Sequence, residues 1–146
     1  NGLGSGPDYD GNGQPDSWFD FVNDLFWVDK SPDWGVAGVQ DDDPQMVKED
    51  ADGKGPERFE YPKPIKGVDY TLGVHYWSAF DYGPSIATVR VWIFETLVAE
   101  FTDVVLNHGD LWEVGTISWP KGAVEPSYGP GGGPRITPAY PNPFMD

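Results

Sequence analysis

The stretch "DYTLGVHYW" (69–77) constrains the fold more than any other part of this chain. Tyr70, Leu72, Val74 and Tyr76 alternate with Thr71, Gly73 and His75. Successive side chains of an extended backbone point to opposite sides, so a period of two marks a strand with one buried face. "SIATVRVWIF" (85–94) is rich in β-branched and aromatic residues and continues the pattern. One of its faces carries Ala87, Val89, Val91 and Ile93, and the other Thr88, Arg90, Trp92 and Phe94. "TLVAEF" (96–101) follows after almost no spacer. That predicts a hairpin turning around Glu95 and Thr96, although no Asn-Gly or Asp-Gly marks it. "DLWEVGTISWP" (110–120) predicts another strand after a turn at "NHGD" (107–110), with Trp112, Val114 and Thr116 alternating against Glu113 and Gly115. Strands at this spacing predict an all-β fold, a single antiparallel β-sandwich of immunoglobulin-like or jelly-roll-like kind.

The rest of the chain is punctuated differently. Its 146 residues suit one domain with a substantial core. The 19 Gly and 15 Pro favour short strands and long loops over long helices. Residues 1–66 are acidic and loop-rich, with aromatic runs at "SWFDFV" (17–22), "LFWVD" (25–29) and "RFEYP" (58–62), each read as a short strand. The expected organisation is a sandwich domain over 1–120, opened by an acidic loop, and a Pro/Gly-rich tail over 121–146. The tail has the composition of a linker. Tyr128, Ile136, Tyr140 and Phe144 are its anchors, for docking on this domain or on a neighbouring chain.

Charge narrows the partners. The net charge of −15 repels nucleic acid and anionic membranes, and draws cations. There is no cysteine, so disulfides, thiolate metal sites and cysteine nucleophiles are excluded. No apolar run approaches the roughly 20 residues of a membrane-spanning helix. The chain opens on Asn1, which fits an exported chain whose signal has been removed, at the cell surface or outside the cell.

"DYDGNGQPD" (8–16) is the densest cluster of oxygen donors. Calcium takes about six to eight oxygen ligands, and a loop supplies them when alternate side chains turn inward. Counting Asp8 as position 1, Asp10 and Asn12 fall at positions 3 and 5, Gly13 at the turn, Gln14 at the backbone-carbonyl position and Asp16 at position 9. Phe19 stands where a bidentate glutamate belongs, and Asp20 comes one residue late. The loop is therefore not an EF-hand, but is similar to the acidic loops of thrombospondin type 3 repeats. The alternative is a polar turn with solvated carboxylates. "DADGKGPE" (50–57) is a poorer copy: Asp50 and Asp52 match, Lys54 replaces the third ligand, and Glu57 closes the site with help from Asp41, Asp42 or Asp43. A solvated acidic loop competes with that reading.

Other chemistry has little support. His75 and His108 are the only histidines, one within a strand and one in a turn, and read as structural or surface residues. No nucleophile elbow, phosphate loop or selected carboxylate pair is visible, so the chain is expected not to be an enzyme. Trp34, Trp77, Trp92, Trp112 and Trp119 allow a carbohydrate platform if they are exposed, against core packing if they are not.

"SPDWGV" (31–36), "DADGKGPE" (50–57), "YTLGVHYWSAFDYGPSIATVRVWI" (70–93) and "GDLWEVGTISWP" (109–120) together resemble a bacterial exported domain of the YfaP-like type, found also in surface proteins of myxobacteria. The resemblance covers roughly residues 17–120 and implies a β-sandwich at the cell envelope without assigned catalytic residues. It also implies a strand before the first long loop, where this chain has "NGLGSGPDYDGNG". A sandwich short of a strand has an unpaired edge, which the aromatic tail fills in cis or between chains. The expected function is a non-enzymatic structural or adhesive module, bound to Ca2+, that self-associates or meets another surface protein. The alternative is a carbohydrate-binding module of a larger secreted protein.

Overall fold

The computed structural model describes residues 18–50 and 55–144, and is all-β apart from one short 3-10 turn at Gln40–Asp42. The chain divides into two compact units, Asn1–Lys66 and Gly67–Asp146. The division falls at Lys66/Gly67, whereas composition places a boundary at residue 120.

In the N-terminal unit, β1 (Gln45–Lys48) and β2 (Arg58–Glu60) form an antiparallel pair. The aromatic run at 58–62 supplies β2, but those at 18–22 and 25–29 form no strands. The reason is local. Asp20 Oδ1 accepts hydrogen bonds from the Val22 and Asn23 backbone N–H groups at 2.6 and 3.2 Å, and the Asp24 N–H donates to the Asp20 carbonyl at 2.9 Å. Side-chain bonds of this kind compete with strand ladders and fold the run into a turn. The turn brings Phe19 and Phe21 against buried Phe26, with ring centroids 5.5 and 5.6 Å apart. Trp34 packs edge-on to Tyr61 and donates its indole N–H to the Val22 carbonyl.

The C-terminal unit carries the alternating strands. β3 (Asp69–His75), β4 (Ser85–Ile93) and β6 (Leu111–Ser118) lie where the period of two places them, and β5 (Thr96–Leu106) starts where the hairpin reading puts it but runs five residues past 101. β7 (Ala123–Pro126) and β8 (Arg135–Thr137) follow. β6 is the hub of one sheet. It pairs with β3 along its whole length, with β7 over 115–118 and with β8 over 111–113, always antiparallel. β4 and β5 form a separate two-stranded antiparallel sheet. Val104 and Leu106 of β5 pack with Trp112 and Val114 of β6 to make the buried centre. Leu72, Val74, Tyr76, Ala87, Val89, Phe101 and Ile136 close around it. Two antiparallel sheets sharing one apolar interior are the arrangement of a β-sandwich. The alternation also selects sides: Val91 is buried and Val89 half-buried, whereas Ile86, Arg90 and Trp92 are exposed.

The Pro/Gly-rich segment is part of this sheet rather than an aperiodic tail. Gly115 makes this possible. A Cβ there would lie 2.5 Å from the Glu125 carbonyl oxygen, so only glycine admits β7 at this distance. Of the four expected anchors, Ile136 joins the core and Tyr140 is buried, whereas Tyr128 and Phe144 remain exposed. β8 also places Arg135 opposite buried Glu113, with the guanidinium 3.2 Å from its carboxylate.

The β4–β5 hairpin turns at Phe94 and Glu95, one residue earlier than the spacing predicts, with Ile93 opposite Thr96. Both turn residues are left-handed, at φ 48 and 65. Tight two-residue hairpins demand this backbone, which side-chain-bearing residues adopt at a cost of about 1–3 kcal/mol each. The sheet and a Phe94–Trp119 ring contact at 6.0 Å hold it. Glu95→Gly is therefore expected to raise the denaturant midpoint by about 1 kcal/mol in stability, and Glu95→Val to lower it. A midpoint unmoved by both would show that the turn carries no strain. Leu106→Ala, at a position 2% exposed, is expected to cost about 2–5 kcal/mol in the same assay.

Candidate functional site

The carboxylates of the β1–β2 hairpin form one charged cluster among the described residues. Lys48 pairs with Arg58, so the next residues outward, Glu49 and Glu57, meet at the mouth of the connecting loop. Asp50 stands beside them. Its Oδ2 accepts the Gly55 N–H, and its own backbone N–H bonds Glu57. Glu57 lies at the surface, yet its carboxyl is held above the ordinary carboxylate range. Partial loss of hydration is the main cause, followed by the negative charges of Glu49 and Asp50, against a small opposing pull from the Asp50 N–H. Lys30 offsets part of this charge through its ion pair with Glu49.

The structure brings Asp50 and Glu57 together and adds Glu49, which motif spacing did not reveal. The signal for Glu49 is the hairpin itself, since a residue opposite Glu57 must share its loop mouth. Asp42 and Asp43 serve a different loop. Asp43 Oδ1 accepts the Trp34 N–H at 2.8 Å, and Asp42 Oδ2 accepts the Val36 N–H at 2.9 Å. Asp42 Oδ1 is buried with no hydrogen-bond partner. Asp20 caps its own turn. Asp8, Asp10, Asn12, Gln14, Asp16 and Asp52 lie outside the described residues. Among the described residues, no group of three or more acidic or histidine side chains is arranged to hold a metal ion.

The second feature is the outer side of the β4–β5 pair. Ile86 and Val105 are directly opposed and 69% and 51% exposed. Trp92, 58% exposed, stands opposite Leu97. Between these apolar groups Arg90 and Glu100 form an ion pair at 2.6 Å. The two strand edges differ. β5 carries Glu100 and two bulges, one of them at Asp103 with φ 61. Bulges and charges blunt an edge against further pairing. β4 carries one charged residue, Arg90, in nine. Trp112, by contrast, is fully in the core, where it meets Phe101 edge-on at 6.3 Å. A shallow groove of about 220 Å3 also opens between Phe101, Thr102, Pro126 and Tyr128.

Compared with known proteins, the chain matches no family model, no curated protein and no solved structure.

The Glu57 shift has a pH signature. A carboxyl whose folded value is raised opposes folding when ionised. That penalty is present above the raised value, and it fades as the pH falls through that value towards the ordinary 4.5. Glu57→Gln is therefore expected to raise the thermal midpoint at pH 7 in chelator, with the gain shrinking towards pH 4. An equal gain at both pH values would assign the effect to something other than charge.

Proposed function

We propose that this chain is a non-enzymatic, extracellular structural or adhesive module that self-associates through the β4–β5 strand pair and is stabilised by calcium. The observation that carries the reading is the state of β4. Among the described residues it pairs on one side only, and its outer side exposes Ile86 and Trp92 on either side of Arg90. An edge of this length with one charge in nine residues is a template for strand addition, and a second copy brings the same edge. The blunted β5 edge directs that pairing to β4.

Calcium is assigned to the acidic loops. Glu49, Asp50 and Glu57 crowd negative charge at one loop mouth, which a divalent cation drawn to the loop offsets although the three are not arranged as a ligand set. The 8–16 loop, with Asp8, Asp10, Asn12, Gln14 and Asp16, is proposed as a second calcium loop on its spacing alone. The relation to YfaP-like exported domains belongs to the same proposal, and a location outside the cell accords with the acidic, cysteine-free composition.

A carbohydrate-binding reading stands second. It rests on exposed Trp92 beside the Arg90–Glu100 pair, since an aromatic face next to hydrogen-bonding groups suits a sugar ring.

Sedimentation of the intact chain separates the readings. Self-association is expected to rise with protein concentration and to weaken in chelator. Ile86→Lys, at an exposed position, is expected to abolish it without lowering the thermal midpoint. A chain that stays monomeric at all concentrations would overturn the assembly reading. Quenching of Trp fluorescence by oligosaccharide, lost in Trp92→Ala, would favour the second. Added Ca2+ is expected to raise the thermal midpoint, and less so in Glu57→Gln. A midpoint indifferent to calcium would remove the metal from the proposal.

A further inference from the structure

The loop over residues 33–43 of the N-terminal unit turns two carboxylates inward. Asp42 and Asp43, where the 3-10 turn ends, are 9% and 5% exposed. Each gives one oxygen to the opposite arm of the loop. Asp43 Oδ1 accepts the Trp34 N–H at 2.8 Å, and Asp42 Oδ2 accepts the Val36 N–H at 2.9 Å. Gly35, between the two donors, permits the approach. Its φ is 80, and a Cβ there would lie 2.7 Å from Asp42 Oδ2. The loop is braced at its start as well, where Asp33 accepts the Gly38 N–H at 2.9 Å. Val39 N–H to the Val36 carbonyl at 3.0 Å closes its middle.

These bonds leave one atom over. Asp42 Oδ1 is shut off from solvent and has no hydrogen-bond partner. The donors that meet the two buried carboxylates are neutral amides, and among the described residues no ion pair reaches either one. Aspartate is almost never buried without a positive partner, because neutral dipoles restore only part of the hydration that an ion loses. A buried, unpartnered carboxylate oxygen therefore marks a place for a positive ligand.

We infer that the 33–43 loop is a cation seat, with Asp42 Oδ1 as its carboxylate ligand, Asp43 as the neighbouring negative charge, and Ca2+ as the ion.

The chemistry of the loop selects the ion. "DWGVAGVQDDD" (33–43) offers carboxylate, amide and backbone oxygens and no imidazole or thiolate, which is the donor set of a hard cation. The charge of Ca2+ balances two adjacent carboxylates. It sits about 2.3–2.6 Å from its ligands, nearer than a hydrogen-bonded water, which suits an oxygen that solvent does not touch. Among the described residues no three acidic or histidine side chains are grouped around a metal. The seat is therefore poor in carboxylates and completed by backbone carbonyls. Affinity follows the count of charged ligands, so the dissociation constant is expected on the order of 10−4 to 10−3 M. The seat is separate from the hairpin mouth and from the 8–16 loop, and stands without them.

Amide NMR of the intact chain during a Ca2+ titration tests the seat, with Glu57→Gln and Asp42→Asn run in parallel. The Trp34 and Val36 amide resonances are expected to move and to saturate, at the same midpoint in the native chain and in Glu57→Gln. Asp42→Asn keeps an acceptor for Val36 but loses the charge, and is expected to need about tenfold more Ca2+ for the same movement. Trp34 and Val36 amides indifferent to calcium would overturn the inference and leave Asp42 Oδ1 to a proton or an ordered water. So would an unchanged midpoint in a folded Asp42→Asn. Movement confined to Gly55 would overturn the seat and keep the cation at the hairpin mouth, whereas movement at Trp34 and Val36 with Gly55 still would do the reverse. Should Asp42→Asn not fold, trace Mn2+ added to the native chain decides, since a paramagnetic ion broadens the nearest resonances first. Broadening led by Val36 supports the seat, and broadening that spares it overturns the seat.

Discussion

The packing of Val104 and Leu106 against Trp112 and Val114 is the interaction on which the C-terminal unit depends. These four side chains come from two consecutive strands joined by a short turn, yet the strands belong to different sheets. The chain crosses from one sheet to the other between Leu106 and Leu111, and the core sits where it crosses. Every other strand of this unit takes its place from that crossing. β4 is set by its hairpin with β5, and β3, β7 and β8 are set by their ladders with β6.

The N-terminal unit is organised by charge and local turns more than by apolar burial. Its carboxylates split into two populations. Asp20, Asp42 and Asp43 accept backbone N–H groups and thereby shape loops. Glu49, Asp50 and Glu57 crowd at one hairpin mouth, where Lys30 offsets only part of the charge. The first population is structural in the ordinary sense of loop acceptors, with Asp42 Oδ1 left over. The second crowds negative charge at the surface, and with partial loss of hydration this holds the Glu57 carboxyl above its ordinary range.

How much of this was legible follows from range in sequence. β3, β4 and β6 were readable because each alternates over seven or more residues, and the faces of β4 divided as the pattern required, whereas β5 was read only to 101 because two bulges interrupt its period. β7 and β8, of four and three residues, are too short to show a period, and their strand character comes from the β6 edge they cover. β1 was missed because Gln45, Met46, Val47 and Lys48 do not alternate. The aromatic run at 18–22 misled because one carboxylate, Asp20, redirected its backbone, and the run at 25–29 closes on itself through the Phe26 N–H and the Asp29 carbonyl. Trp112 and Trp92 are equally apolar in sequence. Only their positions on opposite sides of the fold's interior put the first in the core and the second in solvent. The partner of His75 was beyond reach, since Tyr140 lies 65 residues away with no pattern joining them.

The ladder between β6 and β7 sets a limit on where this chain can be cut. Residues 115–118 have β3 on one flank and 123–126 on the other, and residues 111–113 have 135–137 on that second flank. A product ending before Ala123 would turn β6 from an interior strand into an edge strand, with one row of backbone amides and carbonyls open to any passing chain. Ile117 and Trp112, with their apolar neighbours, would lie along that new margin. The minimal autonomous fragment of this unit therefore extends past Thr137, and a proteolytic nick in "SYGPGGGP" (127–134) would leave two pieces that still need each other.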